Sequence, residues 1–84
     1  MSYALAFKPS AEKELRKLSR DAIPRVVAAI RALADEPRPH GCVKLSASQS
    51  WRIRVGDYRV IYDIDDTSRT IDVLHIGHRR EVYR

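Results

Sequence analysis

Between Trp51 and Tyr62 the hydrophobic period is two, and this stretch constrains the chain more than any other. Trp51, Ile53 and Val55 alternate with Arg52 and Arg54. Gly56-Asp57 then interrupts, a two-residue hairpin signal, and the alternation resumes at Tyr58. A turn at Gly56-Asp57 sets Val55 against Tyr58, Arg54 against Arg59, Ile53 against Val60, Arg52 against Ile61 and Trp51 against Tyr62. Side chains alternate across a strand, so Trp51, Ile53, Val55, Tyr58, Val60 and Tyr62 take one face. Arg52, Arg54, Arg59 and Ile61 take the other. Like charges at paired positions are destabilising, where opposite charges would contribute about 0.2–1 kcal/mol. An Arg54–Arg59 couple is therefore expected where a polyanion is to be bound, although a charged outer face also deters edge-to-edge aggregation.

The remaining segments fit around this hairpin. Tyr3–Phe7 reads as a short strand, and Pro9 suits the start of a helix. Ala11, Leu15 and Leu18 share one helical face, with Glu12, Lys13, Glu14, Arg16 and Lys17 turned outward. Asp21 is placed to cap a second helix, which tolerates Pro24 in its first turn. That helix carries Ile23, Val26, Val27, Ile30 and Leu33 on its apolar face and ends at Glu36-Pro37. Pro37–Gly41 is a loop. After the hairpin come a polar turn at Asp65–Arg69, a strand over Thr70–Ile76 and a short basic tail, Gly77–Arg84. The predicted fold is α+β: an N-terminal strand, an antiparallel helix pair, then a three- to four-stranded, mostly antiparallel sheet covered on one face by the helices. No linker or repeat divides the chain, so residues 1–84 are read as one domain.

Composition narrows the partners. Sixteen Lys and Arg against eleven Asp and Glu leave a formal charge of +5, and twelve of the sixteen cations are Arg. Arg forks onto phosphate or carboxylate where Lys is a hydrated point charge. An anionic partner is expected, nucleic acid or an acidic protein before a lipid surface. The longest apolar runs, Tyr3–Phe7 and Val26–Ile30, fall far short of the roughly 18 residues a membrane span needs. With no charged-then-apolar leader, the expected location is cytoplasmic. Cys42 is the sole cysteine, so no intramolecular disulfide forms.

Four arginines and a tyrosine suit phosphate chemistry. Arg79 and Tyr83 are four apart and share a side whether the tail is helical or extended. Gly77 allows the tail to bend and carry both residues to the Arg52/Arg54/Arg59 face. Asp63, Asp65, Asp66 and Asp72 sit in or beside a turn and read as turn and solubility residues, not as a metal-binding set. A site without metal or cofactor can still cleave RNA, which brings its own nucleophile, the 2′-hydroxyl. Tyr83 is the candidate base, helped by nearby cations that favour the phenolate, and His78 is an alternative proton carrier. His40, Cys42, His75 and His78 match no familiar zinc spacing. Trp51 and Tyr62 read as a core aromatic pair, not a base-stacking platform. Cys42 lacks an evident base and reads as a small residue.

The run Trp51-Arg-Ile-Arg-Val-Gly-Asp-Tyr-Arg-Val-Ile-Tyr62 and the ending Gly77-His-Arg-Arg-Glu-Val-Tyr83 resemble the RelE branch of the RelE/ParE toxin superfamily. Leu15-Arg-Lys-Leu18 and Asp35-Glu-Pro-Arg-Pro39 are similar too, so the resemblance spans essentially the whole chain. It implies a small toxin of a type II toxin–antitoxin pair. Such toxins enter the A site of the 70S ribosome and cut mRNA there without metal, through the 2′-hydroxyl, halting translation. Arg52, Arg54, Arg59, Arg79 and Tyr83 match the family's catalytic positions, and Arg80 adds to RNA binding. The family's well-known form has lysines at the first two positions. Arg at both has a pKa too high for ordinary acid–base work. The partner implied is an acidic or amphipathic antitoxin that wraps the toxin, displaces the tail or covers the Arg face. Alternatives on the same fold are a ParE-like, non-enzymatic inhibitor of DNA gyrase and a non-catalytic RNA or ribosome binder.

Overall fold

A computed structural model describes residues 2–78. Its elements run β1 (Ala4–Phe7), α1 (Pro9–Arg16), α2 (Ala22–Leu33), β2 (Val43–Lys44), β3 (Trp51–Val55), β4 (Tyr58–Asp65) and β5 (Thr70–His78). All five strands form one sheet in the order β1-β5-β4-β3-β2. Every pairing is antiparallel except β1 with β5, which is parallel. The sheet thus has five strands where three to four were expected. Val43–Lys44 is a two-residue strand with no alternation of its own, held on β3 opposite Arg52 and Trp51.

Both helices start and stop for local reasons. Lys8 is extended at the head of α1, with Pro9 in its first turn. Glu12 in the first turn and Arg16 in the last oppose the helix dipole and pair with each other at 2.8 Å. The cap of α2 differs from expectation. Asp21 is already helical and caps nothing with its side chain, whereas the Ser19 hydroxyl accepts from the Ala22 N–H at 3.3 Å. The helix also ends at Leu33, ahead of Glu36-Pro37, and finishes in a tightened turn in which the Asp35 N–H donates to the Ala32 carbonyl.

Ala11, Val26, Ile30 and Leu33 from the helices meet Ile53, Val60, Tyr62, Ile71, Val73 and Ile76 from the sheet. Burying a Val, Ile or Leu side chain contributes about 1.5–3 kcal/mol, so this one-sided core fixes which sheet face turns away from the helices. Tyr62 is the largest fully buried side chain. Its hydroxyl donates to the Pro37 carbonyl at 2.8 Å, which satisfies a buried polar group and pins the loop after α2. Burial, the main cause, pushes its phenol pKa well above the ordinary tyrosine value.

A bulge sits where Ile61 pairs with His75 and Tyr62 with Val73, leaving Leu74 as the extra residue on β5. Close by, β1 ends opposite Val73. Past that point Glu14 from α1 meets the exposed side of β5. Its Oε1 accepts from the Ile76 N–H at 3.0 Å, and its Oε2 pairs with His75 Nδ1 at 2.8 Å. Glu14 is therefore half-buried and structural, not one of the outward charges of α1.

Candidate nucleic-acid interface

The β3–β4 hairpin has the register its alternation predicts: Val55 pairs with Tyr58, Arg54 with Arg59, Ile53 with Val60, Arg52 with Ile61 and Trp51 with Tyr62. Gly56 has φ +60, while Asp57 is not in the left-handed region. That is the pattern of a type II′ turn, which needs Gly at its first central position. The Gly56 turn also lies close to α2, since a Cβ at this position would sit 3.6 Å from the Arg25 guanidinium. Arg25 thereby joins the basic end of the hairpin. Nothing in the strand alternation could have indicated it, because it reaches the turn from the helix layer.

The three hairpin arginines sit at three depths. Arg54 is exposed, Arg52 is half-buried and Arg59 is only 4% exposed. Alternation assigns Arg59 to the face away from the helices, and on that face its side chain is buried. It lies on β4, flanked by β3 on one side and β5 on the other, with Gly77 as its β5 partner. A guanidinium does not lose its proton in proteins, so the hairpin holds a buried and an exposed positive charge on directly paired residues. Among the described residues no carboxylate forms an ion pair with Arg54. Charge at this end is arranged to favour an anion such as phosphate.

His78 is not brought to the arginines. β5 continues through Gly77 to His78 instead of bending at Gly77, so His78 falls on the same face as Ile76. Its ring meets Tyr58 edge-on at 5.9 Å and lines a cleft of about 300 Å³ with Glu14, Lys17 and Ser19 of the helix layer. Arg79, Arg80 and Tyr83, together with the expected fold-back of the tail, lie outside the described residues. His75 is engaged by Glu14. Among the described residues no three His, Cys, Asp or Glu side chains gather as a metal site.

A second cluster holds the loop beside the arginines, and sequence spacing gave no sign of it. Arg38 donates to Asp66 through two nitrogens, at 2.9 and 3.4 Å, while Tyr3 donates to the same carboxylate at 2.6 Å. The Arg38 guanidinium also stacks over Trp51, 5.2 Å from the ring centroid. Arg38 first, then Tyr3, hold the Asp66 carboxyl below the usual aspartate range. This clasp joins the residue before β1, the loop after α2, β3 and the β4–β5 turn.

Comparison with known proteins identifies the frame that carries these arginines. Residues 5–83 match the family model of the ParE toxin of the type II toxin–antitoxin system parDE. The chain is 32% identical over 90 aligned positions to Toxin RelG of Mycobacterium tuberculosis, covering 100% of this chain and 99% of that one.

The chain belongs to the RelE/ParE toxin superfamily.

The fold of this toxin is similar to that in the solved toxin–antitoxin complex RelBE2 of M. tuberculosis, with a TM-score of 0.83 and 29% identity over 94% of this chain and 100% of that one. It is equally similar to the archaeal RelE–RelB complex of Pyrococcus horikoshii, with a TM-score of 0.83 and 28% identity over 94% and 97% of the two chains. The isolated RelE toxin of E. coli gives a TM-score of 0.81 at 28% identity, over 98% and 92%. No helix among the toxin's described residues is long and apolar enough to cross a membrane.

Proposed function

We propose that this toxin is a ribosome-dependent, metal-free endoribonuclease that cleaves mRNA in the A site and so inhibits translation. The observation that carries the proposal is the Arg54–Arg59 pair, two like charges on directly paired residues of one hairpin. In the reaction the 2′-hydroxyl oxygen attacks the adjacent phosphorus and gives up its proton. The bond from phosphorus to the 5′-oxygen breaks, and that oxygen takes up a proton as it leaves. The products are a cyclic phosphate and a 5′-hydroxyl. Arg52, Arg54, Arg59 and Arg79 bind the phosphate and stabilise the extra charge of the five-coordinate transition state, with Arg80 adding to RNA binding. Proton transfer falls to other groups, because guanidinium is a poor acid or base near neutrality. Tyr83 takes this role, orienting or deprotonating the 2′-hydroxyl, and clustered arginines favour its phenolate. His78, across the sheet, is the weaker candidate.

The toxin's partner is proposed to be an acidic or amphipathic antitoxin, in keeping with the solved relatives from M. tuberculosis and P. horikoshii, which are toxin–antitoxin complexes. Tyr83→Phe tests the chemical reading. An enzyme loses turnover on translating ribosomes and keeps its ribosome affinity, whereas a non-catalytic RNA or ribosome binder shows no change in its effect. The match to the ParE family model favours one second reading, a non-enzymatic inhibitor of DNA gyrase. Inhibition of gyrase supercoiling by the purified toxin, without mRNA cleavage, would select it.

A further inference from the structure

A groove of about 380 Å³ opens directly beside Arg54. It is lined by Ala29 and Ala32 of α2, Pro39, His40 and Gly41 of the following loop, and Ile53 and Arg54 of β3. We infer that this groove is a nucleobase subsite, which takes the base of a nucleotide whose phosphate lies on the Arg54 guanidinium. The inference rests on the proposed RNA substrate and adds to it a site that reads the base.

The backbone of Arg54 supplies the recognition. β2 stops at Val43, opposite Arg52, so Ile53–Val55 has no β2 neighbour. In an antiparallel ladder, hydrogen-bonded and non-hydrogen-bonded pairs alternate, and the residues flanking a two-residue turn form a hydrogen-bonded pair. Val55–Tyr58 is that pair, so the Arg54 N–H and C=O point away from β4. The Ser50 carbonyl, of the same parity, points the same way and accepts from the Leu45 N–H at 2.9 Å. At Arg54 the equivalent donor and acceptor face the groove. A nucleobase carries a donor and an acceptor side by side on its edge and is flat and weakly polar on its faces. The alanine, proline and isoleucine walls match the faces, the Arg54 backbone matches the edge, and the exposed His40 adds one further polar group.

The dimensions and charge favour a base over a peptide strand. The open stretch of β3 is three residues long and offers one N–H and C=O couple, too little for a ladder. Arg54 at the mouth and Arg25 by the turn make that end cationic, which suits a phosphate-linked ligand.

The test is a titration of the wild-type chain with AMP, CMP, GMP and UMP, and with ribose 5-phosphate as the base-free control, followed by backbone amide NMR. At least one nucleotide should shift the Arg54 and Gly41 amides, while ribose 5-phosphate leaves them in place and perturbs the Arg54 guanidinium. In parallel, a four-nucleotide RNA should bind at least about fivefold more tightly than its abasic analogue, because only the base buries apolar area against the groove walls. Ala32→Leu, which fills the groove, should abolish that difference without changing the salt dependence. Equal binding of the base-bearing and abasic chains, or amides that respond only to a partner peptide, would overturn the subsite and leave the arginine face standing. No binding of any phosphate-bearing probe would overturn both.

Discussion

Arg54 and Arg59 are paired across the β3–β4 hairpin, one exposed to solvent and the other 4% exposed. Stability alone would favour an acid at one of these positions. Replacing the exposed member should therefore cost the fold little: Arg54→Glu should melt within about 0.5 kcal/mol of wild type. The same change should abolish RNA binding. Thermal melts and RNA titrations of the variant measure the two effects, and a folded variant that still binds RNA would show that Arg54 does not carry the anion site.

Arg54→Ala separates charge from folding. Exposed substitutions of this kind stay within about 0.5 kcal/mol of wild type, so the melt should barely move. RNA affinity should fall, and the slope of log affinity against log salt should flatten by about 0.7 for the lost single-strand phosphate contact. Anisotropy titrations across a salt series check this.

Glu14 bridges α1 to β5, and its two oxygens do different work. Glu14→Ala leaves the Ile76 N–H without its acceptor and should destabilise the fold by about 1–3 kcal/mol. Glu14→Gln keeps an acceptor for that N–H and should recover most of the loss. Urea unfolding of the two variants gives the comparison.

The Arg38–Asp66–Tyr3 clasp has a predictable pH dependence. The Asp66 carboxyl is lowered in the folded state, chiefly by its hydrogen bond from Arg38. Its stabilisation is complete above the ordinary aspartate pKa, about 4, and is lost as pH falls through the lower native value. Urea midpoints for wild type and Asp66→Asn should differ by a constant amount above about pH 5 and converge in stronger acid.

The hairpin register was legible because three signals agree: period-two alternation, a two-residue turn with Gly first, and apolar residues enough to claim one face. The depth of Arg59 was not, since alternation assigns a side chain to a face and does not say how far that face is covered there. His78 shows a narrower failure. Extending the period of two from Ile76 through Gly77 places it on the helix side, but the glycine was read as a bend. Glu14 and Arg38 act across distant segments, and no local spacing encodes where β1 ends or where the β4–β5 turn comes to rest. Val43–Lys44 pairs only because the neighbouring edge of β3 is there to receive it.

Primer extension on a translated reporter mRNA tests the central claim most directly. Purified wild-type toxin added to a translating extract should produce cuts within the coding frame, absent when translation is blocked and absent with Arg54→Glu. An intact reporter in the presence of folded, antitoxin-free toxin, with gyrase supercoiling inhibited instead, would contradict it.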